Sequence, residues 1–227
     1  MLLAIPPNRV LEASIAGTGL PTIILPKNIS HLTSRLAVAG RSGAISGTVF
    51  VYEPAGSGAS SPGPFPRTTS RIVTDLEQAL ASAGLHPPHI VAGYSATGFE
   101  ALLFAYRNKA HTRGVTLIDP SIPFMNQNLY RMSPMLREKE HEGRRRLVES
   151  ISELEKKVAS FAGPAQLEHL AKFECQLSEW DNLHTGSSEE IVPILKEPQA
   201  LDGMQVLVLN AGKFDVEEFC RNEIREV

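Results

Sequence analysis

The stretch Val91-Ala92-Gly93-Tyr94-Ser95-Ala96-Thr97-Gly98 places a serine between an apolar run and a helical pattern. The apolar run predicts a buried strand, and the residues from about 97 to 109 predict a helix. Small residues beside the serine let the two backbones approach each other closely. We therefore expect a sharp strand-to-helix turn that strains Ser95 and exposes its hydroxyl. The N–H of Ala96 would then lie at the start of the helix, where negative charge is favoured.

Strand and helix patterns also alternate before and after this turn. Apolar spacings of one, three and four residues predict a helix between Thr68 and Gly84, with an N-cap and a glycine stop at its ends. Short apolar or β-branched runs predict further strands at Thr22–Leu25, Thr48–Tyr52, Gly114–Ile118 and Met204–Leu209. Strands that alternate with helices indicate an α/β fold with a mainly parallel sheet flanked by helices. The last of these runs is continuously apolar, which predicts burial on both of its faces.

The middle of the chain differs in character, because it holds only helical patterns and most of the charge. One apolar stripe runs from Leu147 to Phe161 and another from Leu167 to Trp180. A helical insert between two strands of a parallel sheet is well placed to cover the carboxyl ends of the strands, where such sheets bind ligands. We therefore expect a core formed by residues 1–120 and 201–227, with residues 121–200 as a helical lid.

Composition excludes several classes of function. The 227 residues carry a net charge of −3, so nothing favours binding to nucleic acid or to an anionic membrane. Two cysteines, Cys175 and Cys220, form no metal-binding spacing and are typical of a reduced, cytoplasmic protein. The short apolar start of the chain lacks the features of a signal peptide, and no run is long enough to span a membrane. We expect a small-molecule substrate, no metal and no cofactor.

Four segments resemble the α/β-hydrolase superfamily. Residues 93–97 occupy the place of its Gly-x-Ser-x-Gly motif, with Thr97 in place of the second glycine. Residues 52–58, 117–121 and 209–215 resemble the loops that follow three other strands of that fold. The resemblance implies that Ser95 is the nucleophile, that Asp215 or Asp119 is the triad acid, and that the N–H of Ala96 forms half of an oxyanion hole. The loop around Asn28 would supply the other half.

The sequence departs from the family pattern at two places. The expected oxyanion loop, residues 25–31, contains no glycine, and the residues after Asp215 contain no histidine. The usual order of serine, acid and histidine therefore cannot be completed along this sequence. Of the seven histidines, His31 in the oxyanion loop and His184 after the second helical stripe are the ones that we expect to reach the cleft.

Simpler interpretations stand beside these roles. Asp215 could cap a terminal helix, and Asp119 could bond loop amides. Arg144-Arg145-Arg146 could grip an anion or form ion pairs with neighbouring glutamates. Trp180, like Tyr94, could line a substrate pocket, or it could pack within the lid.

Three functions remain open at this point. The first is a hydrolase-like enzyme that attacks a small, mostly apolar ester or lactone through Ser95. The second is a non-hydrolytic cyclase or isomerase of a biosynthetic route, and the third is a catalytically inactive ligand-binding relic. If no strand follows residues 204–209, that strand would be an exposed sheet edge, which predicts a homodimer.

Overall fold

The structure is a computed structural model that describes residues 1–26, 40, 42, 46–124, 131, 133–160 and 163–210, without the side chains of residues 184 and 185. Its strands are β1 (Leu2–Ile5), β2 (Arg9–Thr18), β3 (Thr22–Pro26), β4 (Gly47–Tyr52), β5 (His89–Tyr94), β6 (Thr112–Ile118) and β7 (Gln205–Leu209). Its helices are α1 (Thr69–Ser82), α2 (Thr97–Arg107), α3 (Pro134–Ser160), α4 (Pro164–Asp181) and α5 (Ser187–Leu195).

The described strands form one sheet in the order β1-β2-β4-β3-β5-β6-β7. The pairs from β4 to β7 are parallel, whereas β1 and β2 pair antiparallel with each other, and β2 pairs antiparallel with β4. The prediction of a mainly parallel sheet flanked by helices is confirmed. The antiparallel pair at its edge was not predicted, although the buried residues of β2 include Leu11 and Ala13 at the alternating spacing of a strand.

Helices α1 and α2 cover one face of the sheet. The hydroxyl of Thr68 caps α1 by accepting a hydrogen bond from Arg71 N at 3.2 Å, and Gly84 takes a positive φ of 64° just beyond its end. The main core lies between these helices and the sheet, and Phe50, Val73 and Phe104 are at most 1% exposed there. This packing stabilises the two strand-helix-strand units that share β5, namely β4-α1-β5 and β5-α2-β6.

Between β6 and β7, the structure describes helices where the two apolar stripes predicted them. Helices α3 and α4 pack against each other, and a π-helical turn at Asn182–Gly186 leads into α5. Helix α5 packs against α2 and also contacts α1, with Ile191 fully buried and Glu190 accepting a hydrogen bond from Ser70 N at 2.7 Å. Within the described residues, no helix is both long and apolar enough to cross a membrane.

The predicted burial of β7 differs from what the structure shows. All five of its residues are exposed, with Val206, Leu207, Val208 and Leu209 between 45% and 52% accessible. The expectation of burial on both faces is wrong for the part of the chain that is described. Continuous apolarity predicted a central strand, but β7 is the last strand in the described sheet and pairs only with β6.

Candidate active site

Ser95 lies at the sharp turn between β5 and α2. Its φ is +48°, in the left-handed region that residues with a side chain rarely adopt. Two hydrogen bonds hold this conformation, from Ser95 N to the carbonyl of Ile118 at 3.1 Å and from Ser121 N to the carbonyl of Ser95 at 3.0 Å. The strained serine turn predicted from the sequence is therefore present, and β6 and the loop that follows it stabilise the turn.

Two residues beside Ser95 explain how strand and helix meet. A Cβ atom on Gly93 would lie 2.7 Å from Gly98 Cα, so only glycine fits at that position. Thr97 Oγ1 accepts a hydrogen bond from Tyr94 N at 2.8 Å and donates one to the carbonyl of Tyr94 at 2.9 Å. The side chain of Thr97 thus stabilises the turn.

Asp119 lies next to this turn, directly after the neighbouring strand β6. Tyr94 and Ile118 are register partners of β5 and β6, so Ser95 and Asp119 follow them at the same edge of the sheet. Asp119 has a φ of +44°, and its N–H donates to the carbonyl of Leu209 at 2.6 Å. Three exposed apolar residues lie within five positions of Ser95 or Asp119 along the chain, Tyr94 at 39%, Ile122 at 58% and Phe124 at 38%.

The remaining predicted site residues are not brought together in the described structure. Asn28, His31 and Asp215 lie outside the described residues, and His184 lies in the π-helical turn without a described side chain. Trp180 packs against α3, since a Cβ on Gly143 would lie 3.1 Å from its ring. Among the described residues, no group of three or more metal-ligating side chains could hold a metal ion.

A buried ionic network lies where α4 meets the core. The side chain of Arg67 is completely buried, and its guanidinium donates to Asp75 Oδ2 at 3.0 Å and to Glu179 Oε1 at 3.2 Å. Asp75 belongs to α1 and also pairs with Arg9 of β2. Glu179 belongs to α4, so this one arginine joins α4 to the sheet-covering helix α1.

Glu100, in the first turn of α2, lies beside this network. Burial, with the nearby Glu179 carboxylate as the second cause, raises the pKa of Glu100 from its ordinary 4.5 to about 8. Tyr52 Oη donates to Glu100 Oε2 at 3.3 Å. Glu100 was not predicted from the sequence, although a single charged residue within the apolar run 99–105 was a signal that could have identified it.

The arginine run of α3 forms ion pairs. Arg144 Nε lies 2.7 Å from Asp181 Oδ1 on α4, and Arg145 and Arg146 both pair with Glu142 of their own helix. The structure thus favours the simpler of the two interpretations, a charged outer face, over an anion site.

The fold, including the strained serine turn after β5, is similar to that of several solved structures. Over 100% of its length the chain superposes on an esterase from Thermogutta terrifontis, covering 96% of that chain, with a TM-score of 0.51 and 18% identity. The chain has the α/β-hydrolase fold.

Two further α/β-hydrolase neighbours have enzymatic names. The chain superposes over its full length on a carboxylesterase structure from Nitrososphaera gargenis, covering 95% of it, with a TM-score of 0.57 and 14% identity. It superposes over 99% of its length on the enol-lactonase of Burkholderia xenovorans, covering 98% of that chain, with a TM-score of 0.52 and 14% identity. Identities this low establish the fold alone.

Sequence comparison adds one relative of this α/β-hydrolase-fold chain. The uncharacterized protein YqjL of Bacillus subtilis is 28% identical over 150 residues, which cover 60% of the present chain and 58% of YqjL. The match thus spans less than two thirds of either protein. No protein-family model matches the chain.

Proposed function

We propose that this chain is a serine hydrolase that acts on a small, mostly apolar ester or lactone, with Ser95 as the nucleophile. The observation that carries the proposal is the positive φ of Ser95 at the turn from β5 into α2. Such strain persists only where surrounding contacts hold it, and it clusters at functional sites. The names of the esterase, carboxylesterase and enol-lactonase neighbours are consistent with this reaction class.

In the proposed reaction, the Ser95 hydroxyl attacks the substrate carbonyl, and a base takes its proton. The base returns that proton to the departing alkoxide as the ester C–O bond breaks, and water then hydrolyses the acyl-enzyme and regenerates Ser95. The N–H of Ala96 at the start of α2 and a backbone N–H near Asn28 stabilise the oxyanion. Asp119 or Asp215 orients the base, for which His184 and His31 are the two candidates. The exposed side chains of Tyr94, Ile122 and Phe124 provide apolar surface for the substrate beside the serine.

The helical hairpin of α3 and α4 acts as the lid in this proposal. Helix α4 is held to the loop after β4, where Gly63 N donates to Cys175 Sγ at 3.2 Å and Lys172 Nζ donates to the carbonyl of Gly58 at 2.9 Å. That loop leaves the carboxyl end of β4, which is the side of the sheet where Ser95 lies. These contacts anchor one arm of the hairpin near the cleft.

Intact-mass analysis after incubation with a fluorophosphonate probe tests the nucleophile. We expect the wild-type chain to gain one probe adduct and Ser95→Ala to gain none, because a phosphonate traps only an activated serine. Ser121→Ala removes a neighbouring serine and should label like the wild type. If the folded wild-type chain does not label, acyl transfer through Ser95 is excluded, and the cyclase, isomerase and ligand-binding alternatives take its place.

The same assay identifies the base. Labelling that is lost in His184→Ala but kept in His31→Ala would assign the base to His184, and the reverse result would assign it to His31. Labelling kept in both variants would contradict both candidates.

A further inference from the structure

A pocket lies far from Ser95, at the opposite end of β5. It has a volume of about 330 Å³ and opens between the last turns of α1 and α2. Its lining includes Glu77, Leu80, Leu85, His89, Phe104 and Asn108. Because β5 starts at His89 and ends just before Ser95, the two sites are separated by the length of this strand, roughly 20 Å.

The electrostatics of this pocket favour a positive charge. Helices α1 and α2 end beside it, at Ser82 and Arg107, and each helix C-terminus carries a partial negative charge. The carboxylate of Glu77 lies at the same place and accepts a hydrogen bond from Asn108 Nδ2 at 2.8 Å. Arg107 Nη1 is 3.9 Å from its other oxygen, and a carboxylate has room for about four hydrogen bonds, so accepting capacity remains.

His89 supplies an independent indication of a ligand. The residue is 6% exposed, and its Nδ1 is buried without a hydrogen-bond partner in the part of the chain that is described. A buried polar atom without a partner is costly, and it calls for an explanation. Burial first, and then His111 and His86, lower the pKa of His89, so the imidazole is neutral at pH 7 and one of its nitrogens can accept a hydrogen bond.

The rest of the wall is mostly apolar, with His86 as a further polar residue. Leu80 and Leu85 contribute apolar surface, and the ring of Phe104 meets the ring of His89 at 64° with their centroids 5.8 Å apart. Aromatic faces attract cations as well as apolar groups. A ligand that combines a positive charge with a short apolar or aromatic body matches all of these features.

We propose that this pocket binds a small organic cation, a primary ammonium on a short aromatic or branched apolar body. The ammonium donates to Glu77 and to the neutral imidazole of His89. The apolar body packs against Leu80, Leu85 and Phe104. The site is separate from the serine turn and does not depend on the proposed hydrolase activity.

Isothermal titration calorimetry with benzylammonium chloride tests the site, with benzyl alcohol as the uncharged probe of the same shape. We expect benzylammonium to bind the full chain roughly tenfold more tightly than benzyl alcohol, because one charge-assisted hydrogen bond contributes about that factor. Glu77→Gln, which keeps the shape of the side chain, should lower the affinity for benzylammonium by a similar factor. His89→Phe should do the same wherever circular dichroism shows that the variant is folded.

Two control variants separate this site from other effects. Glu189→Gln removes an exposed carboxylate of α5 and should leave the affinity unchanged, and Ser95→Ala should bind like the wild type. The proposal is overturned by the absence of saturable benzylammonium binding, by equal affinity for benzyl alcohol, or by an unchanged affinity in Glu77→Gln. Fluorophosphonate labelling of Ser95 is measured separately, so the failure of one proposal does not imply the failure of the other.

Discussion

Gly93 controls how closely β5 and α2 approach each other at the serine turn. Adding a methyl group there would place it 2.7 Å from Gly98 Cα, against backbone that cannot move aside. We expect Gly93→Ala to destabilise the fold by about 3 kcal/mol, since overpacking a close backbone contact typically costs 1–3 kcal/mol or more. Urea unfolding measures this loss.

Gly114 of β6 is the matched control for this variant. A Cβ there would lie 3.3 Å from the carbonyl oxygen of Gln205, a much milder contact. Gly114→Ala should therefore cost less than about 1 kcal/mol. Equal losses in the two variants would contradict the close approach inferred at Gly93.

Glu100 should make stability depend on pH. Its pKa is about 8 in the folded chain, against an ordinary 4.5, so the folded chain holds a proton that the unfolded chain has lost between these values. Stability must therefore fall as pH rises from about 4.5 to about 8. In Glu100→Gln, which cannot ionise, we expect a shallower decline between pH 5.5 and 8.5.

Urea unfolding at several pH values measures both slopes. Glu77→Gln, on the neighbouring helix α1, is the control and should keep the wild-type slope, because its side chain is 31% exposed and lies outside the buried network. A slope that is the same in wild type and Glu100→Gln would show that Glu100 is already ionised in the folded chain.

Helix α4 is attached to the core through the buried side chain of Arg67. Arg67→Leu would leave Asp75 and Glu179 without the partner they share, and breaking a buried pair in this way costs about 3–5 kcal/mol. We expect unfolding at lower urea concentration and faster proteolysis within α4.

Arg144→Leu is the control variant, because Arg144 of α3 also forms an ion pair with a residue of α4. Arg144 pairs with Asp181, also on α4, but both side chains are 48% exposed. An exposed pair contributes at most about 1 kcal/mol, so this variant should be close to wild type. If the two variants lose equal stability, the Arg67 network does not anchor α4.

At the scale of the whole molecule, the apolar edge strand β7 favours association with another chain. Four of its side chains are about half exposed, and in the described sheet the strand pairs on one side only. Such edges recruit other strands. We propose that a second copy of the chain pairs with β7, as an exposed edge strand predicts.

Light scattering at micromolar concentration tests this assembly. We expect a dimer for the wild type and a monomer for Val208→Lys, because a lysine on an edge strand opposes pairing. Leu167→Lys, at a residue of α4 that is 49% exposed, should leave the dimer intact. A monomeric wild type would rule out the proposed assembly.

Local signals in the sequence by themselves determined the serine turn, the capped helix α1 and the alternation of strands with helices. Each depends on residues that are close together in the chain, such as Gly93 beside Thr97 or Thr68 beside Arg71. The resemblance of four segments to the α/β-hydrolases then indicated the fold.

Only the tertiary structure decided the features that distant residues create together. It joined Arg67 to Glu179 across 112 positions and placed Glu100 beside them. It also paired β2 with β4 and left β7 exposed, although the sequence of β7 is as apolar as that of a buried strand. Burial, ion pairing and pKa depend on which elements meet in space, and that information is not contained in any short stretch of sequence.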